Sequence, residues 1–375
     1  MQKPTLRKVH IAVAVALAGI APGYLLAADA PAAAGPAAPS FADTLTAWGV
    51  TMSGYVAASY YASNGYPGAL HQFDQNHNTF QLDQAGLQIA YQPKEGFGAL
   101  VDLMAGEDAR ILHAAEDGHD NTFDARQAFV QYASGPLTII AGKYVTLAGA
   151  EVINVTGNTN FSRSLLFTWA EPLTHTGVRG TYAVNDTLNL IAGVNNGWNT
   201  TSTSYGSKTG EAGLAWTPNK TFSLTTQAYF GKFAPNGQLD ASRTLVDAVA
   251  TYNATSQLTL IANVDYDKQD FRDGGSATWY GAALYANYAL NDAWRVSVRG
   301  EYLDDKDGFN FGAPQHLWEG TVTVGFAPTK SFELRLEGRY DTSQTNVFSK
   351  AAANAFDSDS LSEFAIQGVY KFSAP

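Results

Sequence analysis

A chain of 375 residues is long enough for two water-soluble domains or for one large barrel. It has no cysteine, which removes disulfides, thiolate catalysis and cysteine-held metals, and its net charge of −11 lacks the basic footprint that nucleic acid requires. Beyond the N-terminus no apolar run approaches the roughly 20 residues of a membrane helix, although 19 Tyr and 20 Phe supply ample aromatic surface.

At the start, Lys3, Arg7 and Lys8 precede an apolar run from Ile11 to Ala21, and small residues follow at Ala27 and Ala28. Residues 1–28 therefore read as a secretory signal. Its removal leaves 20 of the 23 basic residues against 34 acidic ones. Residues 29–46, which open rich in Ala and Pro, read as a periplasmic leader. Residues 47–375 show no further domain boundary.

Strand-like segments then follow to the end: 47–62, 79–92, 97–107, 121–133, 136–145, 173–184, 187–197, 208–217, 221–231, 242–252, 257–267, 277–289, 293–304, 316–326, 331–341 and 361–372. Each is near the 9–11 residues that cross a bilayer when tilted. Every second connection is a tight turn built on Pro, Gly, Asn or Asp, such as Val184-Asn185-Asp186 and Leu290-Asn291-Asp292. The others are longer and polar, among them 63–78, 108–120, 146–172, 305–315 and 342–360. A soluble sandwich has no reason to sort its loops by parity. An all-antiparallel transmembrane barrel of about sixteen strands, with short periplasmic turns and long extracellular loops, does. In lipid no backbone amide can stay unpaired, so the first strand must close on the last. The alternation through Glu363–Phe372 suits a closing strand, with Ser373-Ala374-Pro375 setting Phe372 back from the terminus.

The later strands show what each face meets. Phe332, Leu334, Leu336 and Tyr340 alternate with Glu333, Arg335, Glu337, Arg339 and Asp341, and Trp294, Val296, Val298 and Tyr302 alternate with Arg295, Ser297, Arg299 and Glu301. Successive strand side chains take opposite faces, so one face is oily and the other ionic. The resulting lumen candidates are Arg179, Asp247, Asp265, Asp267, Arg295, Arg299, Glu301, Glu319, Glu333, Arg335, Glu337, Arg339 and Lys371. Arg295 and Arg299 are expected to flank Glu319. Acids and bases interleave, which favours a ladder of ion pairs over a strongly charge-selective wall.

Ala141-Gly142-Lys143-Tyr144, Gly149-Ala150-Glu151, Asn160-Phe161-Ser162-Arg163-Ser164, Glu171-Pro172, His175-Thr176-Gly177 and Asn195-Asn196-Gly197-Trp198 follow in an order and spacing that resembles the OmpL-like β-barrel porin-2 family, and Ser53-Gly54-Tyr55 fits it too. The resemblance implies a porin of the Gram-negative outer membrane. The expected function is passive diffusion of small hydrophilic solutes and ions through a water-filled pore, without cofactor or metal. Its expected partners are outer-membrane lipid and lipopolysaccharide, the barrel-assembly machinery during biogenesis and the solutes themselves. Sixteen-stranded general porins are often trimers, so a homotrimer is one admissible assembly. The alternative is a plugged structural or surface-binding barrel.

Connection 146–172 is the third long one and the longest; it resembles the constriction loop that folds into general porins, and the alternative is an extracellular surface loop. Glu151 and Arg163 are its eyelet candidates. Catalysis is not expected: of the six histidines after the signal, His71, His77, His113, His119 and His316 fall in outer loops and His175 at a strand start, none in a Ser/His/Asp pattern. An EF-hand at Asp304–Gly308 is excluded, because it would put Leu303 and Pro314 at the first and twelfth ligand positions.

Overall fold

The structure, a computed structural model, describes residues 40–374 except 203–205, 207 and 233–240. The expected signal and most of the expected leader lie outside the described residues. The end of the leader and the start of the first expected strand are a helix, α1 (Phe41–Trp48), with Leu45 as its buried residue. Gly49, at φ +67°, ends it: the Gly49 and Val50 amides donate back to Thr46 O and Leu45 O, and the chain leaves as a strand.

Sixteen strands follow: β1 (Thr51–Ser63), β2 (Thr79–Tyr91), β3 (Gly96–Ala105), β4 (Phe123–Ser134), β5 (Leu137–Val145), β6 (Thr174–Asn185), β7 (Leu188–Asn195), β8 (Thr209–Asn219), β9 (Phe222–Lys232), β10 (Ser242–Asn253), β11 (Leu258–Asp270), β12 (Ser276–Ala289), β13 (Trp294–Asp305), β14 (Gln315–Thr329), β15 (Phe332–Ser343) and β16 (Ser360–Ala374). Each pairs antiparallel with its sequence neighbours, and β1 pairs with β16, so the sheet is a closed barrel. Every backbone edge is thereby satisfied, as hydrocarbon requires. The residues after Phe372 do not fray: β16 continues to Ala374, which stands opposite Met52. Gly54 makes room for the Phe372 ring, which a Cβ there would meet at 2.4 Å.

The parity of the connections holds. One end carries the short turns, three of them built alike: Asn185, Asn219 and Asn291 each accept, through Oδ1, from the amides two and three residues on. The other end carries the long connections, including α2 (Glu107–Asp117) between β3 and β4. His316 is not in a loop but on β14, opposite Asp304 of β13.

The barrel's two faces divide as the alternation dictates. Val298, Val322, Leu336 and Phe364 are exposed outward, while Arg299, Arg335, Glu337 and Gln367 are buried inward. Aromatic pairs belt both ends: Trp294–Phe326 and Phe97–Tyr132 at the turn end, and Tyr302–Trp318 and Tyr60–Phe80 at the loop end. Three register shifts sit beside the short turns, at Ala183/Asn185, Trp216/Asn219 and Phe326/Thr329, and two fall within the strands, where they break the period. Between β1 and β2 the register slips at Ala57/Ala58, and as a result the adjacent residues Asp83 and Gln84 are both buried. Between β3 and β4 it slips at Asp102/Leu103. One extra residue flips the rest of a strand to the other face.

Candidate pore constriction

The third long connection, L3 (146–173), folds into the barrel. Its shape comes from local chemistry. Asn154 Oδ1 caps a short turn at Val155–Gly157, and Ser164 caps a one-turn helix, α3 (Leu165–Trp169), by accepting from Phe167 N. Arg163 turns back into its own loop: its guanidinium donates to the carbonyls of Val152, Phe161 and Ile153 at 3.0, 2.9 and 2.9 Å. It also lies over the rings of Phe73 and Phe167. Burial pulls its pKa below the ordinary guanidinium value.

Inward charges of β13–β15 fasten this loop. Arg299 stands among three carboxylates, 2.7 Å from Glu151, 3.0 Å from Glu301 and 3.1 Å from Glu319, and also donates to Ser162 O. Glu337 accepts from the amides of Phe161 and Ser162 at 2.6 and 2.8 Å. Glu301 accepts from Leu165 N at 2.9 Å, Arg339 donates to Arg163 O at 2.7 Å, and Arg335 donates to Val155 O at 3.2 Å. Such charge-assisted bonds are roughly twice as strong as neutral ones. An apolar cluster seals the α3 side, where Leu165, Leu166 and Ala170 pack on Trp279, Ala283, Leu303 and Leu317.

Most sequence candidates therefore sit inside the barrel but not in open water. Arg179, Asp247, Asp265, Asp267, Arg299, Glu301, Glu319, Arg335, Glu337 and Arg339 are buried, as are Glu151 and Arg163 on L3. Arg179 pairs with Glu211 at 2.6 Å and covers the Tyr144 ring. Arg299 is beside Glu319, but Arg295 is not: it stands opposite Gly325 and reaches over it to Glu333 at 2.6 Å. Gly325 leaves room for this crossing, since a Cβ would meet the Glu333 carboxylate at 2.7 Å and Arg295 at 2.8 Å and push them aside. Glu333 and Arg295 are half-buried and Lys371 is exposed.

Those three residues face cavities at the turn end. One, of about 530 Å³, is lined by Gln88, Asp102, Arg126, Lys330 and Lys371, with Asn154 and Thr156 of L3 on its wall. At the loop end a cavity of about 500 Å³ is lined by Tyr66, Leu70, Phe311, Asn346 and Phe356, with Trp169 of L3 on its wall. L3 thus touches both vestibules.

Sequence reading missed several inward groups. Gln84 holds L3 through Ile153 O and Val155 N, and Arg126 forms a bidentate pair with Asp102 at 2.7 Å. Both lie next to the bulges, where strict alternation loses the face. On α2, Asp108 accepts from Gln84 at 2.7 Å, and burial together with nearby Asp83 pushes its carboxyl well above the usual range. In the first long connection His71 Nδ1 lies 2.9 Å from Asp74 and 3.2 Å from Glu363. Burial and Arg339 pull the His71 pKa down, but Glu363, Asp74 and Asp341 outweigh them and leave it well above its ordinary value. Burial pushes Asp74 up, but His71 and Arg339 hold it at about 2. His175 is buried, bonded to Gly197 O and stacked on Tyr229.

The sequence profile of a family described as "Putative beta-barrel porin-2, OmpL-like" matches residues 49–372. A search of curated protein sequences finds no match. Among solved structures, an anion-selective porin from Comamonas acidovorans aligns with a TM-score of 0.63 at 14% identity, covering 86% of this chain and 99% of that one. OmpT of Vibrio cholerae in its trimer form aligns at 0.60 and 12% identity, over 86% and 99%. DcaP, an outer-membrane channel of Acinetobacter baumannii, aligns at 0.60 and 13% identity, over 86% and 97%. At these identities the likeness is one of fold.

Proposed function

The chain belongs to the Putative beta-barrel porin-2, OmpL-like family, and on that premise we propose that it is an outer-membrane porin for passive diffusion of small hydrophilic solutes and ions, with L3 as its constriction. The observation that carries the reading is L3 itself, a loop held across the barrel interior between two vestibules. A sixteen-stranded barrel is wide enough for an aqueous channel, and a loop fastened across it sets the limiting width. The short turns face the periplasm and the long connections the exterior, where lipopolysaccharide contacts them. Residues 1–28 direct export, and the assembly machinery inserts the barrel in lipid. A homotrimer is the assembly we infer, which light scattering of the detergent-solubilised protein checks.

Division of labour among the charges follows from exposure. The buried set around Arg299 fixes the loop, with Glu151 and Arg163 as anchors. Ion preference is set instead by charges that touch water: Arg295, Glu333 and Lys371. This is where selectivity by charged rings would act.

A plugged barrel is favoured by one specific observation, the near-complete burial of L3 from Phe161 to Phe167. Liposome swelling with sugars of increasing size separates the two readings. A porin gives a size cutoff, and a barrel that excludes every sugar and passes no ionic current in planar bilayers sinks the pore.

A further inference from the structure

A second group of interior acids differs from the Arg299 cluster. Asp247 of β10 and Asp265 of β11 stand directly opposite one another in the strand register, and Glu171, near the end of L3, points at both. One carboxylate oxygen from each lies within 4.8 Å of the others. All three are buried, at 5% exposure or less. Five of their six carboxylate oxygens have no hydrogen-bond partner, and the sixth, on Asp247, accepts from Asn263 at 2.8 Å. Asp267, the next inward residue of β11, is fully buried with neither carboxylate oxygen hydrogen-bonded, and it adds its charge to that felt by Asp265. Arg243 offsets Asp267.

Carboxylates are not buried dry against one another without a counter-charge or bound protons, because desolvation and mutual repulsion both oppose it. Arg299 supplies that charge for Glu151, Glu301 and Glu319. Among the described residues, none does so for Glu171, Asp247 and Asp265. The backbone also makes room for one of them: at Gly149 (φ +88°) a Cβ would collide with the Glu171 carboxylate. Only a glycine lets the carboxylate lie there.

We propose that Glu171, Asp247 and Asp265 hold a calcium ion, which pins the end of L3 to β10 and β11. The donor set is oxygen alone, which selects a hard dication. Calcium takes its oxygens at about 2.3–2.6 Å, so two ligands of one ion can be about 5 Å apart, in keeping with the spacing here. Magnesium demands a tighter octahedron and gives up its waters reluctantly, which suits a dry trio poorly. Asn263 then has a second role: its Oδ1 accepts from Ala150 N while its Nδ2 orients Asp247.

The test uses the full chain folded in detergent and stripped with chelator, titrated with calcium chloride in a calorimeter and followed by thermal unfolding. One calcium ion per chain is expected, with a rise in the unfolding midpoint that magnesium at equal concentration does not reproduce. Glu171→Gln and Asp265→Asn should each weaken binding at least about tenfold, as for lost metal-site groups, while Asp270→Asn, a half-buried acid at the end of the same strand that pairs with Lys268, should leave it unchanged. Absence of saturable binding to the wild-type chain overturns the site, whatever the variants do. So does binding that survives both substitutions. A wild type indifferent to calcium but stabilised by Asp265→Asn would mean that the acids share protons instead. Binding is read without any permeation, so its failure and the failure of the pore reading are separate results.

Discussion

Along β13–β15, three arginines, Arg299, Arg335 and Arg339, stand among carboxylates and reach out to L3, whereas β10 and β11 offer the same loop Asp247 and Asp265, with Asp267 behind them and Arg243 beside Asp267. Both walls are built from period-two strands with charged inner faces. They differ in whether the chain itself brings the opposite charge. Where it does, the loop is held by bonds to its carbonyls and amides. Where it does not, burial makes the wall costly until something neutralises it. An inward charge is thus neither a pore lining nor a staple by its position alone, and its partners decide which.

The comparison breaks most sharply at Arg299. Arg299→Met leaves Glu151, Glu301 and Glu319 buried without their cation, and removing one member of a buried ion pair costs roughly 3–5 kcal/mol. Chemical denaturation should show that loss, and single-channel recordings should show larger, noisier openings as L3 loosens. A variant as stable and quiet as wild type would refute the staple. Glu337→Gln keeps the size but not the charge that accepts from Phe161 and Ser162, and about 1–3 kcal/mol should go, by the same assay. On the other wall the sign reverses. In chelator, Asp265→Asn relieves a like charge directly opposite Asp247 and should stabilise by up to about 1 kcal/mol. Gly325→Ala should change stability by less than about 1 kcal/mol, because flexible ends can yield, yet it should shift the reversal potential by displacing Arg295 and Glu333.

The smallest effect concerns the first long connection. His71 has its pKa raised, so its contribution is complete below its unfolded value near 6.5 and is lost as pH rises through the folded value. Asp74 is held at about 2, so its contribution is complete above roughly 4 and is lost as pH falls toward that value. Arg339, Asp341 and Glu363 face the same pair from the wall. Docking of this connection should be firmest between about pH 4 and 6.5, and the high-pH limb should vanish in His71→Gln. Histidine resonances in NMR would follow it, and a His71 signal titrating near its ordinary value would contradict the ion pair.

The sixteen strands, their closure and the lumen face of β13–β15 were legible because a half-buried strand writes its orientation every second residue. The same rule hid Gln84 and Arg126, since a bulge beside each puts neighbours on one face and the period no longer tells inside from outside. Helix α1 was missed because eight residues with a single buried leucine carry too little periodicity. Entry of L3 into the barrel was readable from its length and place only as one of two options, beside an outer surface loop. The burial of Glu151 and Arg163 was not. An arginine satisfied by three carbonyls of its own loop looks, in sequence, like one facing water.

L3 leaves the chain after β5, but the carboxylates and guanidinium groups that hold it come 136 to 180 residues later. Contacts so distant in sequence form only after long stretches of chain have been brought together. In the proposed pore, the opening can therefore take its final width only when the last quarter of the wall is in place. A barrel halted before β13 would hold L3 at Gln84 and Asn263 but lack the charges that fasten Phe161 to Leu165, and narrowing of the proposed passage would be among the last steps of its biogenesis.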